Sequence, residues 1–295
     1  MRLGFIGLGN IGGGICANLL TDGHAVTVLD TDPARTAAME KLGGRPAADA
    51  RAVAEASDVT FLSLPGPAVM DSVAAEWVLG GRGKILVDLT TNAPATVRLV
   101  GERLSAAGSS LVEAPLTGGA PGAQARMLVF IIGGDPEPVE AVRPLLETIG
   151  RATFHLGPLG CGNVGKLINS LLAFSATWTS IEALALGARH EIDLRTLVTM
   201  VRTAGASNFY MDRMVEGIEH QDRETTFALE LAAKDAGLML EVGRQEAVPL
   251  PLASAILQVM VLAEADGLGA RDFADLPRLM EDLAGLKFRL AAPSE

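Results

Sequence analysis

Positive charge is in short supply in this chain. Lysines and arginines number 24 against 35 aspartates and glutamates, a formal net charge of -11 at pH 7. Such a balance argues against nucleic acid and anionic membrane as partners, although a few local cations suffice to bind a small anion. Cysteine is rarer still. Cys16 and Cys161 are far apart and neither belongs to a CxxC pair, which points to a reducing, cytoplasmic setting. The four histidines, His24, His155, His190 and His220, include no two at metal-ligand spacing, so no metal site is expected. No basic leader or cleavage site precedes the first strand pattern, so no signal peptide is expected. The longest uncharged apolar run, residues 167–181, is shorter than the ~20 residues that span a bilayer. It also contains Asn169, Ser170, Ser175 and Thr177, and it reads as a buried helix.

What is present is a globular composition, 49% hydrophobic and 20% charged over 295 residues, enough for roughly two domains. The first unit opens with the apolar run Leu3-Gly4-Phe5-Ile6, which meets Gly7-Leu8-Gly9-Asn10-Ile11-Gly12 and then a helical pattern carrying Ile15, Leu19 and Leu20. A second buried strand, Ala25-Val26-Thr27-Val28-Leu29, ends in Asp30. A GxGxxG that follows a strand, opens a helix and is answered by an acid at the next strand's tip is a dinucleotide-binding signature. Gly7 permits the turn, Gly9 lets the backbone approach a pyrophosphate, and Gly12 lets helix and strand pack closely. The helix N-terminus offers N–H groups to phosphate. Asp30 favours NAD, because a carboxylate there accepts from a ribose hydroxyl and repels a 2′-phosphate. Arg35, a few residues on, keeps NADP open.

Further strands fit residues 59–64 and 85–88, each ending in turn chemistry, Pro65-Gly66-Pro67 and Thr90-Thr91-Asn92-Ala93-Pro94. Alternation with alanine-rich helices predicts a parallel sheet with ligand loops at the strands' carboxyl ends. Residues 111–115 read as another strand tip, followed by Leu116-Thr117-Gly118-Gly119. Those glycine amides and the Thr117 hydroxyl suit an anion, while a flexible hairpin into a strand over 127–132 fits the same residues. A helix through Val142 and Leu146 and a last strand over 153–156 complete the unit.

At residues 160–170, Gly160-Cys161-Gly162-Asn163-Val164-Gly165-Lys166-Leu167-Ile168-Asn169-Ser170, three glycines precede a lysine that opens an uncharged helical run. Lys166, Asn169 and Ser170 fall on one helix face. An ammonium at the edge of an apolar wall is poorly hydrated, the setting of a general acid/base. A surface lysine in the first turn of a core helix is the plainer alternative.

Taken together, these motifs resemble the β-hydroxyacid dehydrogenase family, which includes 3-hydroxyisobutyrate dehydrogenase and tartronate semialdehyde reductase. The resemblance covers residues 1–245: the GxGxxG, Asp30, Leu64-Pro65, Asp88-Leu89-Thr90-Thr91, Glu113-Ala114-Pro115-Leu116-Thr117-Gly118-Gly119, the 160–169 stretch and Lys234-Asp235. It implies an α/β fold: an N-terminal Rossmann-type, doubly wound parallel sheet (1–161), a long interdomain helix (162–190) and an all-α C-terminal domain (191–295) for substrate and oligomerisation, in a homodimer or homotetramer. It also implies Lys166 as the catalytic lysine, and a small carboxylate substrate held by Thr117, Gly118 and Gly119 and oriented by Asn169 or Ser170. Leu8, Asn10, Ile11, Leu64, Pro65, Thr91 and Lys234 then lie along NAD(P) with the glycines. The chain departs from the family's usual pattern in having Glu113 for Asp, Thr117 for Ser and Ser170 for a second amide. An imine or ketone reductase of the same superfamily and a non-catalytic dinucleotide sensor are the rival readings, and the presence of Lys166 weighs against both.

Beyond the long helix, helices fit residues 194–203, 209–217, 228–245, 251–267 and 276–283. Gly205-Ala206-Ser207-Asn208 either reaches a substrate cleft or is a plain connector, and Lys234-Asp235 alternatively marks a solvated face. Residues 291–295 read as a frayed tail.

Overall fold

A computed structural model describes residues 1–206, 208–220 and 224–290. Ser207 and the tail at 291–295, both addressed above, lie outside the described residues. The chain divides into two compact units, Met1–Lys166 and Leu167–Glu295.

The first unit runs β1 (Arg2–Ile6), α1 (Asn10–Thr21), β2 (Ala25–Leu29), α2 (Pro33–Glu40), β3 (Arg45–Pro46), α3 (Ala50–Ala56), β4 (Val59–Leu62), α4 (Pro67–Trp77), β5 (Ile85–Asp88) and α5 (Pro94–Ala106). It continues with β6 (Ser110–Glu113), β7 (Leu116–Thr117), α6 (Gly119–Gln124), β8 (Leu128–Gly133), α7 (Pro136–Ile149) and β9 (Gly150–Gly157). Local chemistry sets many of these boundaries. Proline occupies the first turn of α2, α4, α5 and α7, where its missing N–H has no intrahelical partner to lose. Asp32 and Asp49 cap α2 and α3 by accepting the amides of Ala34 and Ala52.

The described strands form one sheet in the order β3-β2-β1-β4-β5-β6-β8-β7, with β9 beside β8. From β3 to β6 every pairing is parallel, as the alternation predicts. Beyond β6 the direction reverses: β8 is antiparallel to β6 and β7, and β9 is parallel to β8. Two buried clusters cover the two faces. One packs α1 and α7, through Ile15, Leu19, Val139, Val142 and Leu146, on one side. The other packs α3, α4 and α5, through Val53, Met70, Trp77, Val97 and Leu104, on the opposite side. The sheet is therefore doubly wound, and its strand order reverses between β1 and β4.

Helix α8 (Cys161–Arg189) is 29 residues long. The second unit continues with α9 (Leu194–Thr203), α10 (Phe209–Glu219), α11 (Leu229–Gln245), α12 (Pro251–Ala265), a 3-10 turn (Phe273–Asp275) and α13 (Pro277–Ala284). By length and composition α8 could cross a membrane, but Phe174, Ile181 and Leu184 belong to a helical core with Met214, Leu229 and Met260, and Trp178 packs on that core. Thr177 and Ser180 are buried on the same helix and donate to the carbonyls of Ala173 and Ala176, four residues back, at 2.9 and 2.6 Å. That satisfies their hydroxyls without interrupting the apolar stripe.

Candidate active site

The glycine loop is shaped by two close approaches. Gly7 has φ +91°, and a Cβ there would lie 2.2 Å from the Ser63 carbonyl oxygen; a Cβ at Gly12 would lie 2.0 Å from the Gly7 carbonyl oxygen. Both positions exclude any side chain, and they hold the first turn of α1 against the ends of β1 and β4. Gly9 is different. Its φ of -62° is ordinary, and no side chain caps the helix that follows. The nearest atom to an added Cβ is Arg35 Nη1, 3.5 Å away. The backbone at Gly9 is thus open to a ligand, beside helical N–H groups suited to a phosphate. Around it Leu8 is buried, Ile11 is half-buried and Asn10 is exposed.

Asp30 stands half-buried just past β2. Its Oδ2 accepts the Leu8 amide at 2.5 Å and its Oδ1 accepts the Asp32 amide at 2.8 Å. Arg35 bends toward the same rim, with Nε 3.6 Å from Asp32 Oδ2. The loops after β4 and β5 are tied together by the Leu64 amide, which donates to the buried hydroxyl of Thr90 at 3.1 Å. Pro65 is exposed and Thr91 half-buried on these loops. The glycine loop, Asp30, Leu64-Pro65 and Thr91 therefore gather at the carboxyl ends of β1, β2, β4 and β5, around the point where strand order reverses. That is where open α/β sheets bind dinucleotides.

Thr117 ends β7, half-buried and paired with Val129. Gly118 and Gly119 follow at φ +121° and +62° and lead into α6. Asn18 Nδ2 donates to the Ala123 carbonyl at 2.8 Å and so fastens α6 to α1. The segment is neither a free hairpin nor a long loop.

Lys166 is half-buried in the second turn of α8, while Asn169 is half-buried and Ser170 buried. The start of this helix is held by a buried polar cluster that sequence reasoning did not assign to the site. Glu113, at the tip of β6, accepts the amides of Gly160, Gly162 and Asn163 and the side-chain amide of Asn163. Asn163 Oδ1 accepts the Asn92 amide at 2.7 Å, and Asn92 Nδ2 donates to Asp88 at 2.6 Å. Burial pushes the Asp88 carboxyl up to about 7, against the hydrogen bonds that favour its charge. It raises Glu113 for the same reason. An acid at the end of an apolar strand run was the sequence signal for both. Lys234 lies half-buried on α11, its Nζ 3.1 Å from the buried Asp235 carboxylate. Among the described residues no group of three or more His, Cys, Asp or Glu side chains is arranged to hold a metal ion.

The sheet order, the open Gly9 and the acid at the β2 tip define a dinucleotide-binding protein. Comparison with known proteins narrows the class. Residues 2–157 match the NAD binding domain of 6-phosphogluconate dehydrogenase, and residues 160–280 match the family described as NAD-binding of NADP-dependent 3-hydroxyisobutyrate dehydrogenase. The chain is 31% identical to 2-(hydroxymethyl)glutarate dehydrogenase of Eubacterium barkeri over 97% of each chain. It is 32% identical to 3-hydroxyisobutyrate dehydrogenase of Pseudomonas aeruginosa, covering 94% of this chain and 97% of the relative. In fold it is similar to the Mycobacterium tuberculosis 3-hydroxyisobutyrate dehydrogenase structure with L-serine, at a TM-score of 0.88 and 23% identity, over 95% of this chain and 98% of that one. The chain belongs to the β-hydroxyacid dehydrogenase family. It is accordingly an NAD(P)-dependent dehydrogenase acting on a CH–OH group.

Proposed function

We propose that the enzyme interconverts a small β-hydroxy acid and its semialdehyde or keto acid, with Lys166 as the general acid/base. The observation that carries this reading is Lys166 itself, half-buried in the second turn of a helix whose start is fixed to the strand tips of the nucleotide-binding sheet. The curated relatives, named as dehydrogenases of 3-hydroxyisobutyrate and 2-(hydroxymethyl)glutarate, support the substrate class.

The amides at Gly9 and the start of α1, with Asp30 and the 64–65 and 91 loops, suit a dinucleotide, and Lys234 contributes a cation to it. When bound, the nicotinamide supplies the two-electron hydride chemistry. In oxidation, neutral Lys166 accepts the hydroxyl proton; in reduction its ammonium returns it. Thr117 and the Gly118 and Gly119 amides bind the carboxylate, and Asn169 with Ser170 orients the substrate, so the hydroxyl is fixed before the proton moves. NAD is the preferred form because of Asp30. In this reading residues 1–161 bind the cofactor, 162–190 form the connecting helix, and 191–295 serve substrate binding and assembly. Exposed Ile168, Leu172 and Leu186 on α8 support a homodimer or homotetramer. The two unpaired cysteines suit a cytoplasmic setting.

The test is a dehydrogenase screen over 3-hydroxyisobutyrate, L-serine, glycerate and 4-hydroxybutyrate, followed by Lys166→Ala on the best substrate. Turnover should fall by about 10³-fold or more with NAD binding kept. Near wild-type turnover in the variant, or cofactor binding with no turnover on the whole panel, would sink the reading.

A further inference from the structure

Glu113 carries the start of α8 on a single carboxylate. Oε1 takes the amides of Gly160 and, at 2.9 Å, Gly162; Oε2 takes the Asn163 amide at 3.1 Å and its Nδ2. Gly160 immediately precedes the helix, and the Gly162 and Asn163 amides lie in its first turn, where N–H groups have no partner inside the helix, so the carboxylate caps the turn from outside the chain segment, 50 residues away in sequence at Asn163. Glycine makes the room. A Cβ at Gly133 would lie 2.2 Å from Glu113 Oε1, and one at Gly162 would lie 2.7 Å from the Ile131 carbonyl oxygen and 3.1 Å from the Glu113 carboxyl carbon. From the other side, Asn163 Oδ1 receives the Asn92 amide, and Asn92 is tied through Nδ2 to Asp88, whose Oδ1 takes the Thr90 amide at 3.1 Å. All four side chains, Asp88, Asn92, Asn163 and Glu113, are fully buried.

Two buried carboxylates are a poor way to gain stability. Well-packed apolar residues in such places are often as stabilising or more so, and removing one partner of a polar network leaves the others stranded. What the network supplies instead is geometry: it fixes the height and rotation of one helical turn relative to the tips of β5 and β6. Lys166 lies three residues after Asn163, about 4.5 Å further along the axis and on nearly the same face.

We propose that Glu113 is a positioning residue for Lys166, acting through Asn163 and the first-turn amides of α8, with Asp88 and Asn92 bracing Asn163 from the β5 side. The inference rests on the reading of Lys166 as the acid/base. A displacement of about 1 Å at a reacting group costs up to about 10²-fold in rate. Substitution in the network therefore lowers kcat and leaves binding in place.

The experiment uses the full chain with NAD and whichever of 3-hydroxyisobutyrate or L-serine it turns over faster. Rates are normalised to the stoichiometry of NADH binding, so that misfolded protein is not counted. Glu113→Gln keeps the shape but sets an NH2 group against the N–H donors. Asn163→Ala leaves Glu113 its three backbone amides and removes the Nδ2 donor to Glu113 together with the link to Asn92; it decides the matter if Glu113→Gln does not fold. The expected result is a 10- to 100-fold fall in kcat, with KM and the NADH dissociation constant within about twofold. In a Lys166→Ala background, the same substitutions should cause no further loss. Normal kcat in folded variants overturns the proposal, and so does a parallel loss of cofactor and substrate binding, which marks a purely structural role. Substantial turnover in Lys166→Ala alone overturns the acid/base reading instead, and the two failures are told apart by that arm.

Discussion

The Asp30 carboxylate is held by the glycine loop it faces: its Oδ2 receives the Leu8 amide at 2.5 Å. The acid proposed to select the cofactor is thus oriented by the glycine turn that opens α1. Its second oxygen is steadied by the Asp32 amide, so its position does not depend on a long flexible side chain.

Asp30→Asn removes the negative charge that repels a 2′-phosphate, and Arg35 stands at the same rim, 3.5 Å from where a Gly9 Cβ would sit. The ratio of kcat/KM for NADP over NAD should rise about tenfold or more, a change of about 1.4 kcal/mol. Steady-state kinetics with both cofactors checks this, and an unchanged ratio would remove Asp30 from cofactor choice.

Gly9→Ala and Gly12→Ala should fail in different ways. At Gly9 nothing lies closer than 3.5 Å to the added methyl, so stability should be kept while NADH affinity falls about tenfold. At Gly12 the methyl meets the Gly7 carbonyl oxygen at 2.0 Å, which should cost about 3 kcal/mol of stability. Urea unfolding and fluorescence titration of NADH separate the two outcomes.

Trp77, fully buried, donates its indole N–H to Thr60 Oγ1 at 2.9 Å, and the same hydroxyl lies 2.9 Å from Ser57 Oγ. Thr60→Val is nearly isosteric but orphans that N–H. The expected cost is about 1–3 kcal/mol, with the cofactor affinity of the folded enzyme unchanged. No change in the urea midpoint would mean that the indole finds another acceptor.

Asp88 binds its proton more tightly folded than unfolded, because burial raises it from 3.8 to about 7. Folded protein then holds more protons than unfolded protein between those values. Its contribution to stability is complete below about pH 4 and is lost as pH rises to about 7. Asp88→Asn should therefore flatten part of a decline in unfolding free energy across this window, and the part left belongs to Glu113, which burial shifts in the same direction. Wild type and variant declining in parallel from pH 4 to 7 would contradict the assignment.

Much of the fold could be read along the chain because its signals are local. The GxGxxG, the apolar strands that end in Asp30, Asp88 and Glu113, and the three- and four-residue steps of Phe174, Ile181 and Leu184 each declare an element within one short window. The strand expected over 59–64 stops at Leu62: the Ser63 amide still donates to the Ile6 carbonyl, but the Leu64 amide turns to Thr90. The helix expected over 209–217 runs to Glu219, and the strand expected over 153–156 fills Gly150–Gly157, since pairing with β8 overrides its mixed polarity. Strands β3 and β7 were not legible, being two residues each. Nor was the reversed direction of β8, which no local pattern encodes. The Glu113–Asn163 pair escaped for the same reason: its partners meet only after the sheet has formed.

The two thiols differ in a way that is useful at the bench. Cys16 is sealed in the sheet's core, and burial pushes it up to about 12, whereas Cys161 is half-exposed at the first residue of α8. Alkylation depends on thiolate and access, so a dye or spin label applied to the native enzyme should attach at Cys161 alone. That label would ride five residues ahead of Lys166 and report, without any engineered cysteine, on how the helix start responds as cofactor and hydroxy acid come and go.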